Sequence, residues 1–213
     1  MEVYSTEEEQ VQAIQKWWKD NGVSIIVGVI IGIAVIAGYR YWTQHQKSQS
    51  QLASEMYSQV LLGAKSDKVT LTDSLMKNYS GTPYASLAAL LLAKDNVIAN
   101  EPGKAISLLQ WVKDNTKDDA IKHLAQTRLA RIYLSQNKID KAEALVKGEK
   151  VAGFSATYNE IRGDIELAKK MPVQAKENYQ LALEMLSPGD QRYSIIKMKL
   201  DDLAQATPGA VSK

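Results

Sequence analysis

The 213-residue sequence contains no cysteine and only two histidines, His45 and His123. Disulfides and thiolate chemistry are thereby excluded, and neither a His/Cys zinc cluster nor a Cys-His pair can be assembled. No HExxH or GxSxG motif occurs, so the ligands and nucleophile of two common hydrolytic designs are missing. Gly148 to Gly153 has the spacing of a phosphate loop, but Phe154 stands where that loop needs lysine. His123 reads as a helix-surface residue, and Asp118-Asp119 as a solvated first turn favoured by the helix dipole. The chain is expected not to be an enzyme and to need no cofactor or metal. It also lacks an excess of either charge: 26 Lys and Arg against 24 Asp and Glu leave +2, too little and too scattered for nucleic acid. Alternating strand runs are absent as well, which leaves helices.

What the sequence has in abundance is apolar residues in one run. VSIIVGVIIGIAVIAGYRYW, residues 23–42, has no charge between Asp20 and Arg40, enough for a helix to cross the ~30 Å hydrocarbon core of a bilayer. Trp17 and Trp18 precede the run and Tyr39, Tyr41 and Trp42 close it. These are amphipathic rings for the two headgroup levels, with Arg40 free to snorkel outward. Val35 and Ala37 are small enough for a signal cleavage site, but the preceding region is long and acidic and the run exceeds a signal core, so the span is expected to be retained. Ser24, Gly28 and Gly32 recur every four residues, a small-residue face on which a second transmembrane helix can pack closely. Lys16 and Lys19 on one side balance Arg40 and Lys47 on the other, so the positive-inside rule alone selects no orientation.

Before the span, residues 1–22 read as an amphipathic tail. Thr6 and Glu9 fit a capping box, Val11, Ile14 and Trp18 share a face, and Asn21-Gly22 is expected to break the helix. After it, residues 43–206 read as one helical domain and residues 207–213, with Pro208 and Gly209, as a loose tail. The span's helix should run on to Leu62 with Leu52, Met56 and Val60 on one face, and stop at Gly63. A shorter helix is expected around Leu71, Leu75 and Met76, followed by a turn in which Thr82 caps and Pro83 opens the next helix.

From there a repeat emerges. Ala93 is followed twelve residues later by Ala105, Ala130 by Ala142, and Gly163 by Ala175, each pair suiting a crossing where only a small side chain lets two antiparallel helices close. The offsets between units are 37 and 33 residues, close to the ~34 of the tetratricopeptide repeat. The last unit matches best, with Gly163, Ala175, Tyr179, Ala182 and Pro188 at or beside the family's marked places. The middle unit keeps Leu129, Ala130, Tyr133 and Ala142, with Glu149 in place of a small residue. The first keeps Ala93, Ala105 and Leu109. Gln191 to Ala206, with Ile196, Leu200 and Leu203 on one side and Lys197, Lys199, Asp201 and Asp202 elsewhere, has the profile of a terminal cap. The expected fold is therefore all-α: a transmembrane helix followed by a tetratricopeptide-like solenoid.

In such an array the inner helices line a groove. The expected lining is Leu87, Leu90, Lys94 and Val97 from the first unit, Thr127, Arg131 and Leu134 from the second, and Glu160, Asp164 and Leu167 from the third. It is mixed apolar and charged, suited to an extended or helical partner segment. It lacks the cluster of Lys, Asn and Arg with which some tetratricopeptide proteins clamp a terminal carboxylate.

The whole layout, with its acidic amphipathic start, QKWWKDNG before one glycine-bearing span, GYRYW after it and a C-terminal repeat array, resembles the YfgM family of ancillary Sec translocon subunits. The resemblance implies a bacterial inner-membrane protein with a cytoplasmic N-terminus and periplasmic repeats. It further implies work beside the Sec translocon and the membrane-anchored chaperone PpiD, helping exported client chains emerge and fold. Two other readings of the layout are a scaffold of a different envelope complex and a regulator that holds a cytoplasmic signalling protein through its N-terminal helix.

Overall fold

The computed structural model describes residues 7–206, with side chains described for residues 9–203. Among these residues helix follows helix and no strand occurs. The helices are α1 (Glu7–Leu62), α2 (Lys65–Asn78), α3 (Pro83–Ile98), α4 (Pro102–Asn115), α5 (Asp119–Ser135), α6 (Ile139–Val146), α7 (Ser155–Ala168), α8 (Pro172–Glu184) and α9 (Gln191–Ala206), with one 3₁₀ turn at Ala152–Phe154 before α7. The all-α expectation holds. The Thr6 cap and the tail 207–213 lie outside the described residues.

The chain divides into two units, residues 1–51 and 52–213. In the first, α1 is one uninterrupted helix, so the break expected at Asn21-Gly22 does not occur. The Asn21 amide donates to the Trp17 carbonyl at 3.0 Å, and the Trp18 ring lies over Gly22, within 3.2 Å of where a Cβ would stand. Both residues are thus accommodated within the helix. A helical glycine costs only about 1 kcal/mol, less than the several backbone hydrogen bonds that a break would strand beside an apolar span. The apolar side chains from Val23 to Ile36 are exposed almost all round, and this helix is long and apolar enough to cross a membrane.

In the second unit, α1 stops where expected. The Gly63 N–H bonds the Gln59 carbonyl at 2.8 Å, and a Cβ at Gly63 would stand 2.9 Å from that same oxygen. The buried face of this last stretch is Ala53, Met56, Tyr57 and Val60, packed with Leu75, Ala85 and Ala88. Leu52, expected on that face, is 45% exposed. Steps of four residues overshoot each helical turn by about 40°, so a face that holds Val60 is centred one residue away from Leu52 after two steps back. Thr82 does precede α3, but its hydroxyl donates back to the Tyr79 carbonyl at 2.8 Å instead of accepting from the new helix.

The pairs α3/α4, α5/α6 and α7/α8 then repeat, and their turns repeat atom for atom. Asn100, Asn137 and Lys170 all adopt left-handed φ of 56°, 56° and 63°. The next residue's N–H reaches back five places each time, Glu101 to Asn96, Lys138 to Tyr133 and Met171 to Glu166, the closure that ends a helix on a left-handed residue. Pro102 and Pro172 then open α4 and α8, where the missing N–H costs nothing. All the small crossing residues are buried: Ala93, Ala105, Ala130, Ala142 and Ala175 among the core, and Gly163 against Tyr179. The core accordingly runs as successive clusters between neighbouring helices, the arrangement of a repeat stack.

The middle unit departs from its neighbours at Glu149. Helix α6 ends at Val146, so Glu149 occupies no helix crossing. It lies in the following turn, where its carboxylate accepts from Gln126 at 3.0 Å. Arg162 satisfies the end of α6, donating to the Val146 carbonyl at 2.7 Å and the Glu149 carbonyl at 2.6 Å. His123 is also better anchored than a surface residue: its Nδ1 is 2.7 Å from the Tyr158 hydroxyl, and Phe154 packs beside both rings. Burial, followed by the charge of Glu149, pushes the Tyr158 phenol well above its ordinary range, keeping it a neutral partner for the imidazole.

Candidate partner-binding surface

Two surfaces are available, one in each unit. On α1, Ser24, Gly28 and Gly32 stand on one face of a continuous helix, and apart from the backbone of its own turns a Cβ at Gly28 or Gly32 would meet nothing within 4 Å. In the repeats, the surface lies along α3, α5 and α7, the first helices of the three pairs.

The ten residues expected to line the groove fall into three groups. Leu90, 4% exposed, and Thr127, 2% exposed, are buried in the layers, and the Thr127 hydroxyl is spent on the Leu124 carbonyl at 3.0 Å. These two hold the stack together and do not face a partner. The second group reaches the surface: Leu87 and Leu134 do so only in part, Leu134 being packed against the cluster around Tyr158 and Ile161. Lys94, Val97, Arg131 and Leu167 are exposed.

Glu160 and Asp164 form the third group, and both are already engaged. Glu160, 7% exposed, takes Arg131 Nη2 on one oxygen at 3.0 Å and Lys199 Nζ on the other at 2.8 Å. Asp164 takes Lys199 at 2.7 Å and the Tyr179 hydroxyl at 2.7 Å. Lys199 therefore belongs to this network. A buried carboxylate holds its charge only with such partners, and α9 supplies one of them. Burial and the Asp164 carboxylate together push the Tyr179 phenol far above its ordinary range.

Charge also decides where the groove is open. Helix α5 packs directly on α7, where the Arg131–Glu160 pair joins them. Between α3 and α5 an open cleft of about 350 Å³ remains, floored by Ala93, Leu109 and Ile132 and walled by Val97 and Ile98, with Lys94, Arg128 and Arg131 around it. Three cations gather here, two of them, Lys94 and Arg131, in the expected lining. Arg128, absent from the expected set, is the new member. It follows the buried Thr127 and stands one turn before Arg131, so the helical period alone places both guanidiniums on one side. Burial, then the neighbouring Arg131 charge, lowers the Arg128 pKa from its ordinary value. No group of three or more His, Asp or Glu able to hold a metal occurs among the described residues.

Residues 15–205 match the family model of a tetratricopeptide repeat-like domain, a match that takes in the apolar helix as well as the repeats. Proteins named ancillary SecYEG translocon subunit are similar along most of their length. The one from Escherichia coli (strain K12) is 32% identical over 172 residues, 79% of this chain and 83% of that protein. The one from Haemophilus influenzae is 30% identical over 204 residues, 94% of this chain and 99% of that protein. The one from Aggregatibacter actinomycetemcomitans is 31% identical over 204 residues, with the same coverage of 94% and 99%. With a family model matched over residues 15–205 and relatives at 30–32% identity that are covered over most of their length, the chain belongs to the YfgM family, the ancillary SecYEG translocon subunits with a tetratricopeptide repeat-like domain.

Proposed function

We propose that this chain is a non-enzymatic, membrane-anchored ancillary subunit of the Sec translocon, whose repeats bind partner or client segments and cooperate with PpiD in the folding or handover of exported chains. The observation that carries this reading is the near full-length similarity to proteins named ancillary SecYEG translocon subunit. The residues support it physically: one helix can be held in the bilayer, while an apolar cleft with charged edges offers a surface for a polypeptide. In this reading residues 1–22 are a cytoplasmic tail, 23–42 cross the inner membrane with Ser24, Gly28 and Gly32 packing on a partner helix, 43–206 are the periplasmic repeat domain and 207–213 a tail.

The test is copurification. Tagged chain extracted from bacterial membranes in mild detergent should bring the translocon and PpiD with it at native expression. Recovery of the tagged chain with neither protein, under conditions that preserve the translocon itself, contradicts the proposal.

A further inference from the structure

The cleft between α3 and α5 combines two features that rarely remain unused together. Its floor and walls are apolar, with Val97 47% exposed, Ile98 exposed and Ile132 beneath them. Its edges carry Lys94 from α3 and Arg128 and Arg131 from α5. Arg131 spends one nitrogen on Glu160. Lys94 and Arg128 make no hydrogen bond or ion pair with any described residue. A partly buried guanidinium beside a second one is electrostatically unfavourable, as the downward shift at Arg128 records, and an anion between them would relieve it.

We infer that this cleft takes an acidic, apolar peptide segment of a partner chain, lying between α3 and α5 with apolar side chains on the floor and side-chain carboxylates against Lys94, Arg128 and Arg131. Cations on both edges match a segment with several carboxylates, whereas a chain end supplies one. Arginine forks bind carboxylates bidentately, which fixes register, and the apolar floor supplies affinity. The inference rests on the proposed partner-binding role and names the chemistry of the partner.

The test uses the full chain in a non-ionic detergent. The probe is a fluorescent decapeptide of alternating Glu and Leu, acetylated and amidated, followed by anisotropy against empty micelles. It should bind at low salt and weaken as salt rises. A peptide with Gln for Glu should bind at least about tenfold more weakly, since a charge-assisted hydrogen bond contributes more than the 1.4 kcal/mol that tenfold requires. Arg128→Gln and Lys94→Gln, both on the cleft's edge, should each weaken the Glu-Leu peptide with unchanged helicity. Val97→Asp, which puts an anion into the cleft, should do the same. Lys176→Gln on α8 should leave binding as it was.

Equal binding of the Gln peptide, or equal binding by the Arg128 and Lys94 variants, overturns the inference. Binding that appears only when the Gln peptide carries a free C-terminus overturns it too and assigns the cleft to a chain end. Copurification with the translocon is read separately. Peptide failure with intact copurification removes this inference alone, while loss of copurification removes the function it rests on.

Discussion

A Cβ at Gly163 would stand 2.5 Å from Cδ1 and 3.0 Å from Cζ of the Tyr179 ring. The ring cannot retreat, because it is fully buried and its hydroxyl is held by Asp164. Gly163→Ala should therefore destabilise the protein by about 1 to 3 kcal/mol through overpacking, read as a lower denaturation midpoint; an unchanged midpoint would contradict this crossing. The opposite sign is expected at Lys170, whose φ of 63° carries a Cβ in the left-handed region. Lys170→Gly should stabilise by up to about 1 kcal/mol, the left-handed cost relieved less the entropy of glycine, and a drop in stability would show that the lysine side chain contributes more than its strain. Gly163 was legible in the sequence because small residues at a repeated offset have one structural use. The His123–Tyr158 contact was not, because it depends on which residues of a neighbouring unit come opposite; the period within α5 places Arg128 beside Arg131 but does not show that Lys94 of the preceding unit faces them.

The helix boundaries at Gly63 and Pro83 were legible for a similar reason, since both residues act through their own backbone. Asn21-Gly22 misled because the same residues that loosen a helix in water are tolerated where the surroundings leave the backbone no alternative partner. The end of α6 escaped as well, since Arg162 reaches it from sixteen residues away in sequence. Helix α9 is more than a polar lid: Ile196 and Leu203 pack on α8 while Lys199 balances Glu160 and Asp164. Lys199→Met keeps the apolar stem and removes the charge, leaving two carboxylates with one guanidinium. It should cost about 1 to 3 kcal/mol, reduced from the fully buried case because Lys199 is partly exposed, and an unchanged melting curve would show the network to be ornamental. On α1, Gly28→Leu with Gly32→Leu raises apolarity and so preserves insertion, yet blocks close approach of another helix. The pair should weaken copurification with the translocon; copurification equal to the parent would make the span an anchor only.

At the scale of the whole molecule, an anchor and a repeat stack on one chain multiply their separate affinities, because binding at one raises the effective concentration at the other. A modest cleft can then serve a membrane-bound complex without being tight by itself. The order of parts was legible from the apolar run and the repeat offsets; the site was legible only in part, since Leu90 and Thr127 proved to be buried and Glu160 and Asp164 engaged. The most direct test of the account is photocrosslinking in living cells from Val97, at the open cleft, and from Leu167, exposed at the end of α7, with positions within residues 1–20 as the comparison. Crosslinks from Val97 and Leu167 to translocon subunits, PpiD or exported chains are the expected result. Crosslinks to cytoplasmic proteins from residues 1–20, with none from the repeats to any envelope protein, would contradict it.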